Sequence, residues 1–371
     1  MDRLIGFYKD HYSVEFPRSL GAAVSGGSDS VSLLVMAARW AAENNIQIHC
    51  LTVDHKLRKE SGKEAEFVEN LCGSLGASHK ILDWDRGDVS IERGKLENLA
   101  REARYRLMSE YCENNAVPIL MIGHTWNDQL ETFEMRKNAG SSPSGLAGMS
   151  QVRSLTNRVK LLRPMLHFSK SHLEEFLRNR NISWKIDPMN DQEIFLRVIH
   201  RKKIMRYEAD KISLISNEII QLGRRRNQIE TLAVCFLRKF CEFFKDGYAI
   251  VEKNQLLAED ESTRAEILKR LIWNVGGKKY ATTITKDLCE QILCKKINTI
   301  GRCFLKIKKD KIFVFRENRN NESSIRQGRR FAEKETSWGL PYGGQNHKMS
   351  RETDGSRGDL SNKINLFDVF L

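Results

Sequence analysis

Four short apolar runs in the first 125 residues alternate with stretches of helical periodicity, and this alternation constrains the fold more than any other feature. Ser19–Ser25 (SLGAAVS), Ile46–Asp54 (IQIHCLTVD), His79–Asp83 (HKILD) and Pro118–Thr125 (PILMIGHT) read as strands. Between them Asp29–Glu43, Ser61–Leu75 and Leu96–Asn115 carry apolar residues near a 3.6-residue period. Ser61 with Glu64 three residues on is a capping box for the second helix. Strands separated by helices of this length make βαβ units, hence an α/β fold with a parallel sheet covered on both faces. Ligands of such sheets bind beyond the carboxyl ends of the strands. That directs attention to Ser25–Ser30, Asp54–His55 and His124–Asp128.

Ser25-Gly-Gly-Ser-Asp-Ser30 closes the first strand and opens the first helix. Gly26 and Gly27 let backbone amides approach an anion closely, and the helix N-terminus also favours negative charge. Ser28 and Ser30 add hydroxyl donors. Asp29 would repel phosphate unless a cation intervenes, so it makes sense chiefly as a partner for Mg2+. Five such fixed positions recur by chance in a chain this long roughly once in a few thousand. The loop is neither a Walker A sequence nor a G-x-G-x-x-G dinucleotide fingerprint. Two further segments carry chemistry. In Leu99–Arg106 (LAREARYR) the i, i+3 spacing puts Arg101 and Arg104 together on one helix surface, which suits a phosphate or an RNA backbone. In Gly123–Thr132 (GHTWNDQLET) a loop and one helical turn gather His124, Asp128 and Glu131 at the sheet's mouth. A histidine with two carboxylates can bind Mg2+ or move a proton during amine attack.

Composition narrows the partner. The 371 residues carry a net charge of +13, unevenly spread. Residues 1–150 hold 17 basic and 21 acidic side chains, residues 151–230 hold 17 and 9, and residues 231–371 hold 27 and 18. A slightly acidic N-terminal part is thus joined to a strongly basic remainder, which points to a polyanion, most often nucleic acid. No window nears 18 apolar residues, so a membrane span is excluded, and the N-terminus lacks the apolar stretch of a secretory signal. The eight cysteines include no Cys-x-x-Cys pair. This argues against a zinc ribbon, a metal cluster or a disulfide scaffold and fits a reducing cytoplasm.

Further along, Gly140–Gly148 reads as a flexible loop. A long helical pattern runs from about Tyr207 to Phe244, interrupted by Arg224, Arg225 and Arg226, and residues 263–300 suggest two more helices. Phe304–Phe315 reads as a hairpin turning at Lys309–Asp310–Lys311. Residues 319–362 are poor in aliphatics and read as disordered, whereas Asn365–Leu371 (NLFDVFL) is apolar enough to dock. The expected organisation is a catalytic domain over 1–206, a mainly helical domain over 207–318 ending in a hairpin, and a polar tail over 319–371.

The Ser25–Ser30 loop resembles the SGGxDS loop of the PP-loop ATP pyrophosphatases. In that family it holds the pyrophosphate part of ATP while AMP passes to a substrate oxygen. Within the family, Thr52–Arg58 (TVDHKLR), Ala103-Arg104-Tyr105 and Gly123–Thr132 resemble segments of the lysidine synthetases. So do Gly145–Met149 (GLAGM), Leu162–Met165 (LRPM), and Asp187–Asp191 followed by Phe195, Arg197 and Arg201. Thr125, Asn127 and Val198 depart from the pattern, standing where His, Asp and Asn are usual. The resemblance implies an adenine contact near Val53 and a ribose or phosphate contact at Asp54 or His55. It also implies Mg2+ between Asp29 and Asp128, and tRNA contacts at Arg101, Arg104, Arg163, Arg197 and Arg201, joined by Arg224–Arg226 on charge alone. The implied reaction joins free L-lysine to carbon 2 of the wobble cytidine of a CAU-anticodon tRNA(Ile), through an adenylated intermediate. Asp128 or Glu131 would take or orient the amine proton. The alternatives are another PP-loop enzyme, either a tRNA thiolase or an amidotransferase resembling NAD synthetase.

Overall fold

The computed structural model describes residues 17–54, 61–84, 93–156, 158–185, 196–244, 247–276, 286–294 and 299–316. It divides into two compact units, the chain passing from the first to the second between Arg224 and Arg225.

The first unit is built on six strands: β1 (Ser19–Ala23), β2 (Gln47–Asp54), β3 (Ser78–Asp83), β4 (Ile119–Ile122), β5 (Val152–Ser154) and β6 (Lys160–Leu162). Their order is β3-β2-β1-β4-β6-β5. Every pair is parallel except β5, which runs antiparallel to β6. Helices α1 (Ser28–Glu43), α2 (Ser61–Ser74) and α3 (Arg93–Asn114) connect the first four strands, as the alternation requires. The strands are short and apolar because both faces are covered. Leu20 and Val24 pack with Leu33, Leu34 and Ala37 of α1 on one face. Leu51, Leu120 and Leu161 pack with Met108 and Cys112 of α3 on the other. From β1 the chain steps outward to β2 and β3, then returns to the opposite side of β1 as β4. The strand order therefore reverses between β1 and β4, and this switch point opens a crevice at their carboxyl ends.

Helices α4 (Trp126–Asn138), α5 (Pro143–Leu146), α6 (Lys170–Arg178) and α7 (Leu196–Ile204) complete this unit with the start of α8 (Ala209–Phe240). Leu130 and Phe133 of α4 pack on Ile215 and Ile219 of α8. The expected Gly140–Gly148 loop contains the single turn α5, started by Pro143 and capped by the Ser142 hydroxyl, which accepts from the Gly145 N–H.

The second unit packs the rest of α8 with α9 (Lys253–Ala258), α10 (Glu261–Gly276) and α11 (Lys286–Leu293). It also holds an antiparallel sheet ordered β7-β8-β11-β10-β9, formed by β7 (Cys241–Phe244), β8 (Tyr248–Glu252), β9 (Thr299–Ile300), β10 (Cys303–Lys308) and β11 (Lys311–Arg316). The hairpin lies where the sequence puts it, with Lys308 opposite Lys311, but it is one part of a five-stranded sheet. The helical pattern stops at Phe240, because Phe243 and Phe244 precede an Asp246-Gly247 pair, a hairpin signal that outranks helical spacing. The expectations for 319–371, His55 and Asp187–Asp191 fall outside the described residues.

Candidate active site

The Ser25–Ser30 loop lies between the end of β1 and the first turn of α1, on the switch-point crevice. Gly26 has φ of 85°, a conformation that disfavours any side chain. Its carbonyl accepts from the Lys185 N–H at 2.9 Å. Ser30 Oγ donates to the Gly27 carbonyl at 3.0 Å and accepts from the Ser25 N–H at 3.1 Å, so the loop is tied into a ring by its own last residue. Gly27 occupies the N-cap and no side chain caps α1. The first-turn amides are thereby left to a ligand, which is what an anion site needs. Gly123, just past β4, is packed from behind: a Cβ there would stand 2.9 Å from the Asp29 carbonyl oxygen. The two crevice walls thus touch backbone to backbone.

Two predicted acids meet at this point. Burial pushes the Asp29 carboxyl up to about 6, opposed by Lys170 and reinforced by the charge of Asp128. Ser28 Oγ donates to Asp29 Oδ1 at 3.3 Å. Asp128 sits in the first turn of α4, where its Oδ2 accepts from the Thr125 N–H at 2.8 Å and the Thr125 hydroxyl at 3.0 Å. Thr125, a departure from the family pattern, therefore orients Asp128. Asn127, another departure, accepts the Lys170 N–H on its Oδ1 at 2.9 Å and so fastens α6 to α4. Two neighbouring carboxylates, one raised by burial and by the charge of the other, suit a hard divalent cation that would neutralise both. Among the described residues no group of three or more metal-ligating side chains is gathered, so such a cation would complete its shell with ligand oxygens and water.

His124 is fixed by Arg163, whose Nε donates to its Nδ1 at 3.0 Å. The imidazole hydrogen is consequently on Nε2, making His124 a hydrogen-bond donor in this arrangement. Arg163 is only 3% exposed, so the expected role as a tRNA contact gives way to an internal one. Its Nη1 donates to the Ser150 carbonyl at 2.7 Å. Burial above all pushes its guanidinium down to about 10, with the charges of Arg153 and Arg101 adding to the effect. Arg101 lies on α3, where its Cζ stands 5.2 Å from the centroid of the Tyr105 ring, and Arg104 is exposed nearby.

Glu131 follows Asp128 by one helical turn and is 3% exposed. Its Oε1 accepts from Arg201 Nε of α7 at 2.7 Å, joining two predicted site residues. Its Oε2 is buried and has no hydrogen-bond partner among the described residues. Beside it Lys203 bonds Glu134 at 2.7 Å, so α7 is clasped to α4 twice. Gln129 holds the Gly145–Met149 segment by pairing with both the N–H and the carbonyl of Met149. Val53 lies at the carboxyl end of β2, beside β1. Arg197 is on α7. Arg224 belongs to the first unit, Arg225 and Arg226 to the second. Lys170, Lys185 and Arg153 were not marked by the sequence; each reaches the site from a distant segment.

A family model for the PP-loop domain matches residues 3–208. Over 317 residues the chain is 29% identical to the tRNA(Ile)-lysidine synthase of Wolbachia pipientis, spanning 82% of this chain and 72% of that protein. It is 30% identical over 282 residues to the same-named protein of Ruegeria pomeroyi, with coverages of 75% and 65%. Against that of Hyphomonas neptunium the identity is 38% over 202 residues, with 53% of each chain covered.

Proposed function

The chain belongs to the PP-loop family, and from that premise we propose that it is an ATP-dependent ligase that makes lysidine in tRNA. In this reading lysine is joined to carbon 2 of the wobble cytidine of a CAU-anticodon tRNA(Ile), in the cytoplasm. The observation that carries the reading is the meeting, at one switch point, of the intact Ser25–Ser30 loop and the His124–Glu131 segment. Relatives bearing the lysidine synthase name at 27–38% identity support the choice of substrate.

The residues divide the work. The α1 amides with Ser25 and Ser28 hold the pyrophosphate portion of ATP, and the end of β2 near Val53 and His55 receives the nucleoside. The cytidine O2 attacks the α-phosphorus and pyrophosphate leaves. The ε-amine of lysine then adds to carbon 2, AMP departs with the O2 oxygen, and the amine gives up its proton. Asp29 and Asp128 would hold Mg2+, which when bound neutralises charge at the phosphorus. The unbonded Oε2 of buried Glu131 suits an amine donor, since a buried carboxylate oxygen without a partner is costly. His124, with hydrogen on Nε2, donates to developing negative charge. The cytidine must leave the anticodon stack to reach these groups.

Incubation with ATP, labelled lysine and a CAU-anticodon tRNA transcript tests this. Label should enter the tRNA only with ATP, accompanied by AMP and pyrophosphate in equal amounts. Unlabelled tRNA, with AMP formed instead in the presence of a sulfide donor or ammonia, would overturn the reading.

A further inference from the structure

Beside His124, three guanidinium groups from three separate segments converge on one phenol. Arg101 of α3 and Arg153 of β5 have Cζ atoms 5.2 and 5.3 Å from the Tyr105 ring centroid. Arg101 Nη2 donates to the Tyr105 hydroxyl at 3.4 Å, and the Arg163 guanidinium lies within electrostatic reach of the same phenol. A phenol that accepts from guanidinium groups keeps its own O–H to donate. Among the described residues none of Arg101, Arg153 and Arg163 forms an ion pair with a carboxylate. Like charges with no carboxylate partner among the described residues repel, and Tyr105 offsets this by stacking against Arg101 and Arg153 and bonding Arg101. The members differ in exposure: Arg163 is buried, Arg101 half-buried and Arg153 exposed. Arg163 is consumed by His124 and Ser150 and serves as the anchor. Arg101, Arg153 and the Tyr105 hydroxyl are left as outward donors.

We infer that Arg101, Arg153 and Tyr105 form a phosphate-binding site at the mouth of β4 and β6, with Arg153 as its solvent-facing member. This deepens the ligase reading by locating a phosphate of one of its substrates, and it rests on that reading only for the identity of the ligand. Two sources share the chemistry, the RNA backbone and the polyphosphate of the nucleotide.

Arg153→Ala separates them. Arg153 is exposed, so the variant should fold, and full-length protein is titrated with ATP, inorganic pyrophosphate and a CAU anticodon stem-loop RNA. Loss of one charged contact weakens the true ligand about tenfold. If the RNA is the source, its affinity falls about tenfold and the slope of log affinity against log salt drops by about one, with ATP unchanged. If the nucleotide is the source, ATP and pyrophosphate weaken and the RNA does not. Either result supports the site. Arg153→Lys should recover only part of the loss, because a point charge cannot reproduce the planar fork. Tyr105→Phe should weaken the same ligand as Arg153→Ala. If Arg153→Ala leaves all three ligands within twofold, the site does not exist. Because these titrations do not depend on lysine transfer, a failed lysine assay with an intact phosphate response would refute the ligase reading alone.

Discussion

Replacing Asp29 with Asn should stabilise the protein while removing its activity. The carboxyl's ordinary value of 3.8 is raised to about 6 in the fold, mainly by burial. Two units correspond to about 3 kcal/mol at 1.36 kcal/mol per unit. That figure is a ceiling, since the side chain keeps some access to water and Asp29→Asn forfeits the attraction of Asp29 to Lys170. A gain of about 1–2 kcal/mol is expected for Asp29→Asn, equivalent to about 2–8 °C in the Tm of a unit this size. The sign follows from proton counting. Between the two pKa values the folded state binds more protons than the unfolded one, so wild-type stability falls as pH rises from about 4 to 6. Below pH 4 both states are protonated and the penalty vanishes; above pH 7 it is complete. At pH 4.5 the advantage of the variant should therefore shrink to about a third of its value at pH 8. Thermal melts of both proteins in chelator at the two pH values measure this, and added Mg2+ should raise the Tm of the wild type alone at pH 8. A variant no more stable than wild type at pH 8, or an advantage that does not change with pH, would refute the idea of a strained carboxylate.

Two further substitutions probe the same crevice. Gly123→Ala places a methyl group 2.9 Å from the Asp29 carbonyl oxygen; it should cost about 1–3 kcal/mol and raise the KM for ATP, and a wild-type KM would show that the loop tolerates displacement. Glu131→Gln keeps the shape but removes the charge facing Arg201. Isotope exchange between ATP and pyrophosphate in the presence of tRNA should persist while lysine transfer falls at least tenfold, and an equal loss in both steps would reduce Glu131 to a structural partner of Arg201.

What the sequence reveals here is what lies contiguous in it. Ser25–Ser30 is legible because six successive residues build the ring that Ser30 closes. The α/β order is legible because continuous apolar strands and 3.6-period helices differ in pattern. Strands β5 and β6, three residues each, are too short for any period to register, and so the antiparallel sheet edge went unseen. Lys170 and Arg153 have no local signature, since their placement depends on α6 and on that edge strand. The Leu-Arg-Pro segment marks Arg163 as a candidate tRNA contact, yet nothing in it signals that the side chain is buried. Its bonding partners His124 and Ser150 come from two other segments, and only the folded sheet brings them together.

That separation bears on how the site keeps its charges unbalanced. Asp29 and Asp128 stand at the ends of β1 and β4, whereas Arg101, Arg153 and Arg163 belong to α3, β5 and the end of β6. If the two sets paired with one another, the Asp29 carboxyl would be pulled below its ordinary value and Arg163 would be held near its own. Instead Asp29 is raised to about 6 and Arg163 lowered to about 10, so burial dominates each, only partly offset by Lys170 at Asp29 and by Tyr105 at Arg163. In the proposed reaction a cation would satisfy the acids and be repelled by the arginines, and a phosphate would satisfy the arginines and be repelled by the acids. A metal-bound nucleotide together with an RNA backbone meets both demands at once. Where the RNA backbone supplies the phosphate, either ligand alone leaves one cluster unsatisfied, so the two substrates should bind with positive coupling. Wild-type affinity for the anticodon stem-loop should accordingly rise when ATP and Mg2+ are present, and this coupling should disappear in Asp29→Asn.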